Sequence, residues 1–199
     1  MTIGISLDDV VRDFLGKFKS VYKKNFEKDP IEPINTLDLM THFPFDNEDE
    51  MYNFLYEDFS LELFGHPNEK YKNAVIDLNN LYNQHKDLHE FLIISKEIGN
   101  SIPATLFFLS KTSCKLRDYK FLSNYKNVWD NCDLMITANP EILVNKPENK
   151  ISIKEYHILI IAAIFHDIVY DPKRNDYAYI IRYVISKYKI MNLQSNYFS

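Results

Sequence analysis

A histidine and an aspartate stand side by side after an apolar stretch, and this pair is the feature of the sequence best suited to chemistry. His166 and Asp167 directly follow residues 158–165, which are all apolar. An unpaired carboxylate at the end of a buried helix is costly. A divalent metal would satisfy both groups, because imidazole nitrogen and carboxylate oxygen are ligands of Mn, Fe, Zn and Mg. The alternative is that His166 caps the helix and Asp167 pairs with a lysine or an arginine.

The residues that follow the pair extend the pattern. Residues 165–176 read FHDIVYDPKRND, and this segment resembles the FHD-x-VYDP-x-x-ND signature of the predicted metal-dependent phosphohydrolases of the HD superfamily. The resemblance implies an all-α protein that hydrolyses a phosphate ester with one or two divalent ions, Mn, Fe, Mg or Zn. It assigns His166 and Asp167 as metal ligands and Asp167 as catalytic. It places Asp171, Asn175 and Asp176 in the loop behind the pair.

The rest of the family pattern is incomplete in this sequence. Family members carry two further histidines on an earlier helix, and the corresponding positions here are Lys120 and Asn124. A lysine ammonium cannot bind a metal without losing its proton, and an asparagine is at best a weak neutral ligand. The last acidic ligand is also missing, because residues 180–199 contain no Asp or Glu. We therefore expect a degenerate metal site, with Lys120 paired to Asp167 and its helix packed beside His166.

Three other histidines are weaker candidates. His85 and His89 are spaced to share one helix face, but a solvated polar face explains them more simply. His157 is nine residues before His166, which places it on the opposite side of a helix. A further possibility is that the chain is a truncated form whose full-length relative retains the missing aspartate.

Helical patterns dominate the chain, and few glycines are present to form the tight turns of β-hairpins (4 in 199). Ser6 is predicted to cap a first helix with Asp8 and Asp9 in its first turn. Further helices are predicted over residues 36–42, 46–65, 67–99, 104–109, 118–138, 153–169 and 176–190. The sequence thus predicts an all-α fold, with a helical region over residues 1–110 and a partial HD-like helical bundle over residues 111–199.

Composition and charge exclude several classes of protein. A net charge of −5 and the lack of long basic runs argue against a nucleic-acid partner. No apolar run reaches the roughly 18 residues that span a bilayer, and no signal peptide is visible, so we expect no membrane partner. Two cysteines without metal or disulfide spacing favour a cytoplasmic location.

Two functions therefore stand at the level of the sequence. The first is a metal-dependent phosphohydrolase of HD type with weak or no activity, acting on a phosphate-ester small molecule. The second is a non-catalytic helical scaffold that binds a protein or a small molecule. The abundance of Tyr and Phe (14 of each) is consistent with a surface buried against a partner.

Overall fold

The centre of the protein is a parallel β-sheet. A computed structural model describes residues 1–32, 34 and 39–153, which belong to one compact unit, Met1–Ile158. Its five strands are all parallel and lie in the order β3-β2-β1-β4-β5. They are β1 (Thr2–Ser6), β2 (Glu90–Lys96), β3 (Tyr119–Leu122), β4 (Leu134–Ile136) and β5 (Ile151–Ile153).

The described residues also form six α-helices and several irregular helical turns. The helices are α1 (Phe14–Phe26), α2 (Leu39–His42), α3 (Glu48–Asn53), α4 (Ala74–His85), α5 (Ser101–Lys111) and α6 (Pro140–Val144). Widened π-helical turns cover Leu7–Val11, Phe54–Asp58 and Leu61–Gly65, and a short 3-10 turn covers Val128–Asp130. None of these helices is long and apolar enough to cross a membrane, as far as the chain is described.

The expected all-α fold is wrong, and the error has a physical cause. Strands of a parallel sheet are buried on both faces, so they read as continuous apolar runs without the alternation of a half-buried strand. The predicted helix over residues 67–99 is instead α4 followed by β2, and that over 118–138 is β3, a 3-10 turn and β4. The sheet includes strands from both sides of residue 110. It is therefore an α/β unit, and the predicted HD-type helical bundle is not found among the described residues.

Between β1 and α4 lies a helical insertion, which the structure describes over residues 14–32, 34 and 39–65. Its core is a cluster of aromatic rings centred on Phe18, which is fully buried and lies 4.4 Å from Phe43 and 5.9 Å from Phe54 between ring centroids. The insertion packs on α5 through the Leu61–Gly65 turn, because a Cβ at Gly65 would lie 3.2 Å from the carbonyl oxygen of Ala104. Many aromatic side chains of the described residues thus form an internal cluster in this insertion.

Gly4 fixes the spacing of the central strand, and its replacement is our first prediction. A Cβ at this position would lie 2.7 Å from Met135 Sδ and 3.0 Å from Cys132 Sγ and Ile94 Cδ1. We expect Gly4→Ala to destabilise the protein by about 1–3 kcal/mol through overpacking, measured by urea unfolding. The double variant Gly4→Ala/Met135→Ala should recover part of this loss. Additive losses would show that Met135 does not limit the space.

Candidate functional site

The topology of the sheet points to the carboxyl ends of three strands. In the sheet, β1 and β4 are neighbours. The chain passes from β1 to β2 on one side of this pair and from β4 to β5 on the other, so the connections that leave β1 and β4 run in opposite directions. Open parallel sheets bind their ligands at such a switch point, outside the carboxyl ends of the strands. Asp8 and Asp9 follow β1 here, Glu97 follows β2 and Thr137 follows β4. We call these residues, together with Ser6, Arg12, Ser95 and Thr105, the edge cluster.

Arg12 occupies the centre of the edge cluster. The Leu7–Val11 turn places Asp8 and Arg12 four residues apart on one side, and the Arg12 side chain is fully buried. Its Nε and Nη2 donate to Asp8 Oδ1 at 2.7 and 2.5 Å, and Nη2 also donates to Glu97 Oε1 at 2.8 Å. Its Nη1 donates to the Phe64 carbonyl at 2.8 Å and to Thr105 Oγ1 at 2.5 Å. These contacts use all five N–H groups of the guanidinium.

Glu97 is buried in the same cluster and is only half satisfied. Its Oε1 accepts from Arg12 and Thr105 and lies 2.9 Å from Ser95 Oγ, whereas its Oε2 has no hydrogen-bond partner among the described residues. The Ser95 hydroxyl also lies 3.1 Å from Asp8 Oδ2, and its single proton cannot serve both carboxylates at once. Burial raises the pKa of Glu97 to about 7 although Arg12 lowers it. Asp8 already neutralises the guanidinium, so a second negative charge here is weakly compensated.

Asp9 joins the central strand to its neighbour β4. Its Oδ1 accepts from Ser6 Oγ, and its Oδ2 accepts from Thr137 Oγ1 at 2.9 Å and from the backbone N–H of Ala138. Burial raises the pKa of this carboxyl above its ordinary value, and these three hydrogen bonds oppose the rise. The carboxylate is therefore held by protein donors on both of its oxygens.

The contact between Asp9 and Thr137 gives a second prediction. Thr137→Val keeps the shape of this fully buried side chain but removes the donor to Asp9 and the acceptor of the Asn139 N–H. We expect a loss of about 1–3 kcal/mol, since buried polar groups are left unpaired, measured by urea unfolding at pH 7. Ser110→Ala, at an exposed position, is the matched control and should change the stability by less than about 0.5 kcal/mol. Equal effects of the two substitutions would contradict the role of Thr137.

The edge cluster has the composition of a catalytic site but a different arrangement. Two of its three carboxylates, Asp8 and Glu97, converge on the guanidinium of Arg12, so a cation supplied by the protein stands between them. Among the described residues no group of three or more His, Cys, Asp and Glu side chains is placed to hold a metal ion. Asp8 retains some contact with solvent, with its side chain 20% exposed. The arrangement ties β1, β2 and α5 to the Leu61–Gly65 turn of the insertion.

The residues that the sequence singled out lie elsewhere or outside the described part. His157, His166, Asp167, Asp171, Asn175 and Asp176 all lie outside the described residues. Lys120 is exposed on strand β3 opposite Ile94, and Asn124 is exposed in the loop after it. The helix expected to carry Lys120 and Asn124 is therefore absent from this segment, and its proposed correspondence with the HD-family motif loses its structural basis.

The two spaced histidines do not share one element. His85 is the last residue of α4 and is buried, whereas His89 lies just before β2 and is half-buried. Burial, helped by the nearby amino terminus, lowers the pKa of His89. The two cysteines, Cys114 and Cys132, are both buried and free, and burial raises the pKa of Cys132 to about 11.

The predicted helical start, with Ser6 before a first turn that contains Asp8 and Asp9, is found as the Leu7–Val11 turn. Sequence reasoning missed the edge cluster because it did not predict the strand before this turn: Ser6 is the last residue of β1, and its hydroxyl contacts the Asp9 side chain. A signal was present, since Thr2–Ser6 and Leu7 are followed at once by two acids, and ligand sites lie outside the carboxyl ends of parallel strands. No comparable signal joins Arg12 to Glu97, which is 85 residues away in the chain.

Comparisons of the sequence with protein families and with curated proteins assign no family to this chain. No protein-family model matches the chain, and no curated protein matches it.

Proposed function

We propose that this chain is a non-hydrolytic scaffold that binds a partner, built on an α/β unit. The observation that carries the proposal is the position of Arg12, whose buried guanidinium uses all its donors on Asp8, Glu97, Thr105 and the Phe64 carbonyl. Metal-assisted hydrolysis needs carboxylates that face a cation, a water and a substrate. In the edge cluster Asp8 and Glu97 each bond to the guanidinium of Arg12 instead.

Exposed apolar side chains on the surface support the binding of a partner protein. Large apolar side chains remain half-exposed on α5 and on the turn beside it, including Leu61 (53%) and Phe107 (44%). Both side chains lie against Gly65, with their nearest atoms 2.8 and 3.2 Å from the position of a Cβ there. Neighbouring exposed apolar groups of this kind are common at sites of protein association. A cytoplasmic location is part of the proposal, because buried free thiols are typical of reducing compartments.

A second candidate function rests on the segment FHDIVYDPKRND, residues 165–176. If the HD resemblance carries activity, His166 and Asp167 bind a divalent ion, Mn, Fe, Mg or Zn, and the substrate is a phosphate ester. The metal would polarise the phosphoryl group and lower the pKa of a bound water. Two ligands hold such an ion weakly, since catalytic sites normally use three or more protein groups. The supporting observation is the sequence signature alone.

A hydrolysis assay on the full chain separates these functions. The substrates are p-nitrophenyl phosphate and a panel of nucleoside phosphates, each with Mn, Fe, Mg or Zn, and the variants are Asp8→Asn and His166→Ala. We expect no metal-dependent turnover above the level of either variant. Turnover that is lost in His166→Ala but kept in Asp8→Asn would establish the HD-type function in place of our proposal. Turnover lost in Asp8→Asn alone would place catalysis in the edge cluster.

A further inference from the structure

We propose that Glu97 is a proton-operated latch between the edge of the sheet and the helical insertion. With a proton on Oε2, the Leu61–Gly65 turn stays packed on α5 and the edge cluster excludes water. When Glu97 loses this proton, the contact loosens and water reaches its carboxylate. This device is independent of the proposed scaffold function, since it concerns how the unit opens and not what it binds.

The hydrogen bonds of Arg12 make Glu97 a junction between elements. Arg12 belongs to the connection between β1 and α1, and it donates both to Glu97 and to the carbonyl of Phe64 in the insertion. Thr105 of α5 accepts from Arg12 and donates to the same oxygen of Glu97 at 2.6 Å. A change in the charge of Glu97 therefore acts on strand β2, helix α5 and the insertion at the same time.

The surroundings of Glu97 Oε2 determine which protonation state of Glu97 favours the closed cluster. The Glu97 side chain is fully buried, and no donor from the described part of the chain reaches its Oε2. A negative charge on this oxygen lacks both water and a donor, whereas a neutral carboxyl group leaves only a weaker polar group unpaired. The protonated form of Glu97 therefore has the lower free energy as long as the cluster is closed.

The groups that face Glu97 do not remove this cost. Arg12 and Asp8 come from the turn after β1, Ser95 from β2 and Thr105 from α5, and Tyr56 of the insertion is also close enough to interact with its charge. Of these, Arg12 is the one cation and Asp8 already pairs with it. Ionised Glu97 thus adds a net negative charge to a buried site. Its pKa of about 7 puts the transition near neutral pH.

The insertion contacts this site and α5 mainly through one turn and one side chain. The Phe64 carbonyl accepts from Arg12, whose Cζ lies 5.3 Å from the centroid of the Phe64 ring, and the Gly65 carbonyl accepts from Lys111 Nζ at 3.2 Å. Asn100, in the loop after Glu97, donates to Glu57 of the insertion at 2.8 Å. The loop after Glu97 contains Gly99 with a positive φ of 56°, and nothing lies within 4 Å of a Cβ built there. Movement of this turn and this loop would expose Oε2 without breaking the ladder between β1 and β2.

Hydrogen exchange read by mass spectrometry between pH 5 and 8.5 tests the latch, after correction for the intrinsic pH dependence of exchange. We expect the opening constant of peptides covering residues 54–65 and 97–111 to rise about tenfold per pH unit up to neutrality and then to level off. Peptides from β1, which exchange when the whole unit unfolds, should stay better protected than these peptides at every pH. Glu97→Gln, which cannot ionise, should abolish the rise, whereas Glu148→Gln, at an exposed carboxyl, should behave like the wild type.

A second variant and a direct titration keep the proposal testable if Glu97→Gln fails to fold. The Thr105 hydroxyl stabilises the charged form of Glu97, so Thr105→Val should move the midpoint of opening to higher pH. The side-chain carboxyl signal of Glu97 in ¹³C NMR should titrate with the same midpoint. The latch is refuted if this signal titrates near the ordinary pH of a glutamate. It is equally refuted if Glu97→Gln retains the rise, or if β1 exchanges as fast as residues 54–65 and 97–111, since the opening would then be global unfolding.

Discussion

Replacing Arg12 by methionine is expected to lower the free energy of unfolding by about 3–5 kcal/mol, the usual cost of removing one partner from a buried ion pair. Methionine preserves much of the side-chain volume but leaves Asp8 and Glu97 without a cation, and Thr105 and the Phe64 carbonyl without a donor. Urea unfolding at pH 7, followed by circular dichroism, measures the loss. No other single polar substitution in the edge cluster removes as many contacts.

Two further variants show whether charge or volume causes this loss. Arg12→Lys keeps the charge but lacks the planar fork that reaches both carboxylates, so it should fall between the wild type and Arg12→Met. The triple variant Arg12→Met/Asp8→Asn/Glu97→Gln removes all three charges and should recover a substantial part of the stability. A loss below about 1 kcal/mol for Arg12→Met would contradict the central place of the guanidinium.

The stability of the protein should depend on pH through Glu97, and the sign follows from its raised pKa. The folded protein holds this proton up to a pKa of about 7, whereas the unfolded chain releases it near the ordinary value of 4.5. Between these values the folded state binds more protons, so the contribution of Glu97 is largest below pH 4.5 and is lost as pH rises to 7. The shift corresponds to roughly 3 kcal/mol at about 1.36 kcal/mol per pH unit.

The difference between wild type and Glu97→Gln isolates this contribution from other titrating groups. Asp9 has a raised pKa and changes stability in the same direction, whereas Asp133 has a lowered pKa because the Thr2 N–H bonds to it, and acts in the opposite direction. Both remain in the variant and cancel in the difference. Urea unfolding at several pH values should show the wild type losing stability relative to Glu97→Gln between pH 4.5 and 7. A difference that is flat with pH would show that Glu97 stays ionised when buried.

Part of the fold could be predicted from the sequence, and the parts that failed have a common origin. The periodicity that predicts a first helix corresponds to α1, and the apolar helix after Pro103 lies within α5. The strands were not predicted because they are buried on both faces of the sheet, as Phe91, Ile93 and Ile94 of β2 show. Their apolar run continues the pattern of α4 with little to mark the change. Local periodicity cannot separate a buried strand from a buried helix.

The candidate site was beyond sequence reasoning for a different reason. Asp8, Arg12 and Glu97 have ordinary residue types and no motif spacing, and only the pairing of β1 with β2 brings the first two beside the third. The sequence pattern favours His166 and Asp167 instead, because the residues around them carry a recognisable signature. That hypothesis remains a prediction, because both residues lie outside the described part of the chain. Lys120 lies on β3, so the helix that the resemblance places before the pair is not found in that segment.

The metal content of the purified full chain tests the central claim most directly. The protein is incubated with Mn, Fe and Zn, freed of unbound metal and measured by mass spectrometry of the elements, beside His166→Ala and Asp8→Asn. If Arg12 supplies the cation of the edge cluster and the histidine–aspartate pair is degenerate, wild type and both variants should hold the same substoichiometric amount. Near-stoichiometric metal that is lost in either variant would contradict the account and identify the side chain that binds it.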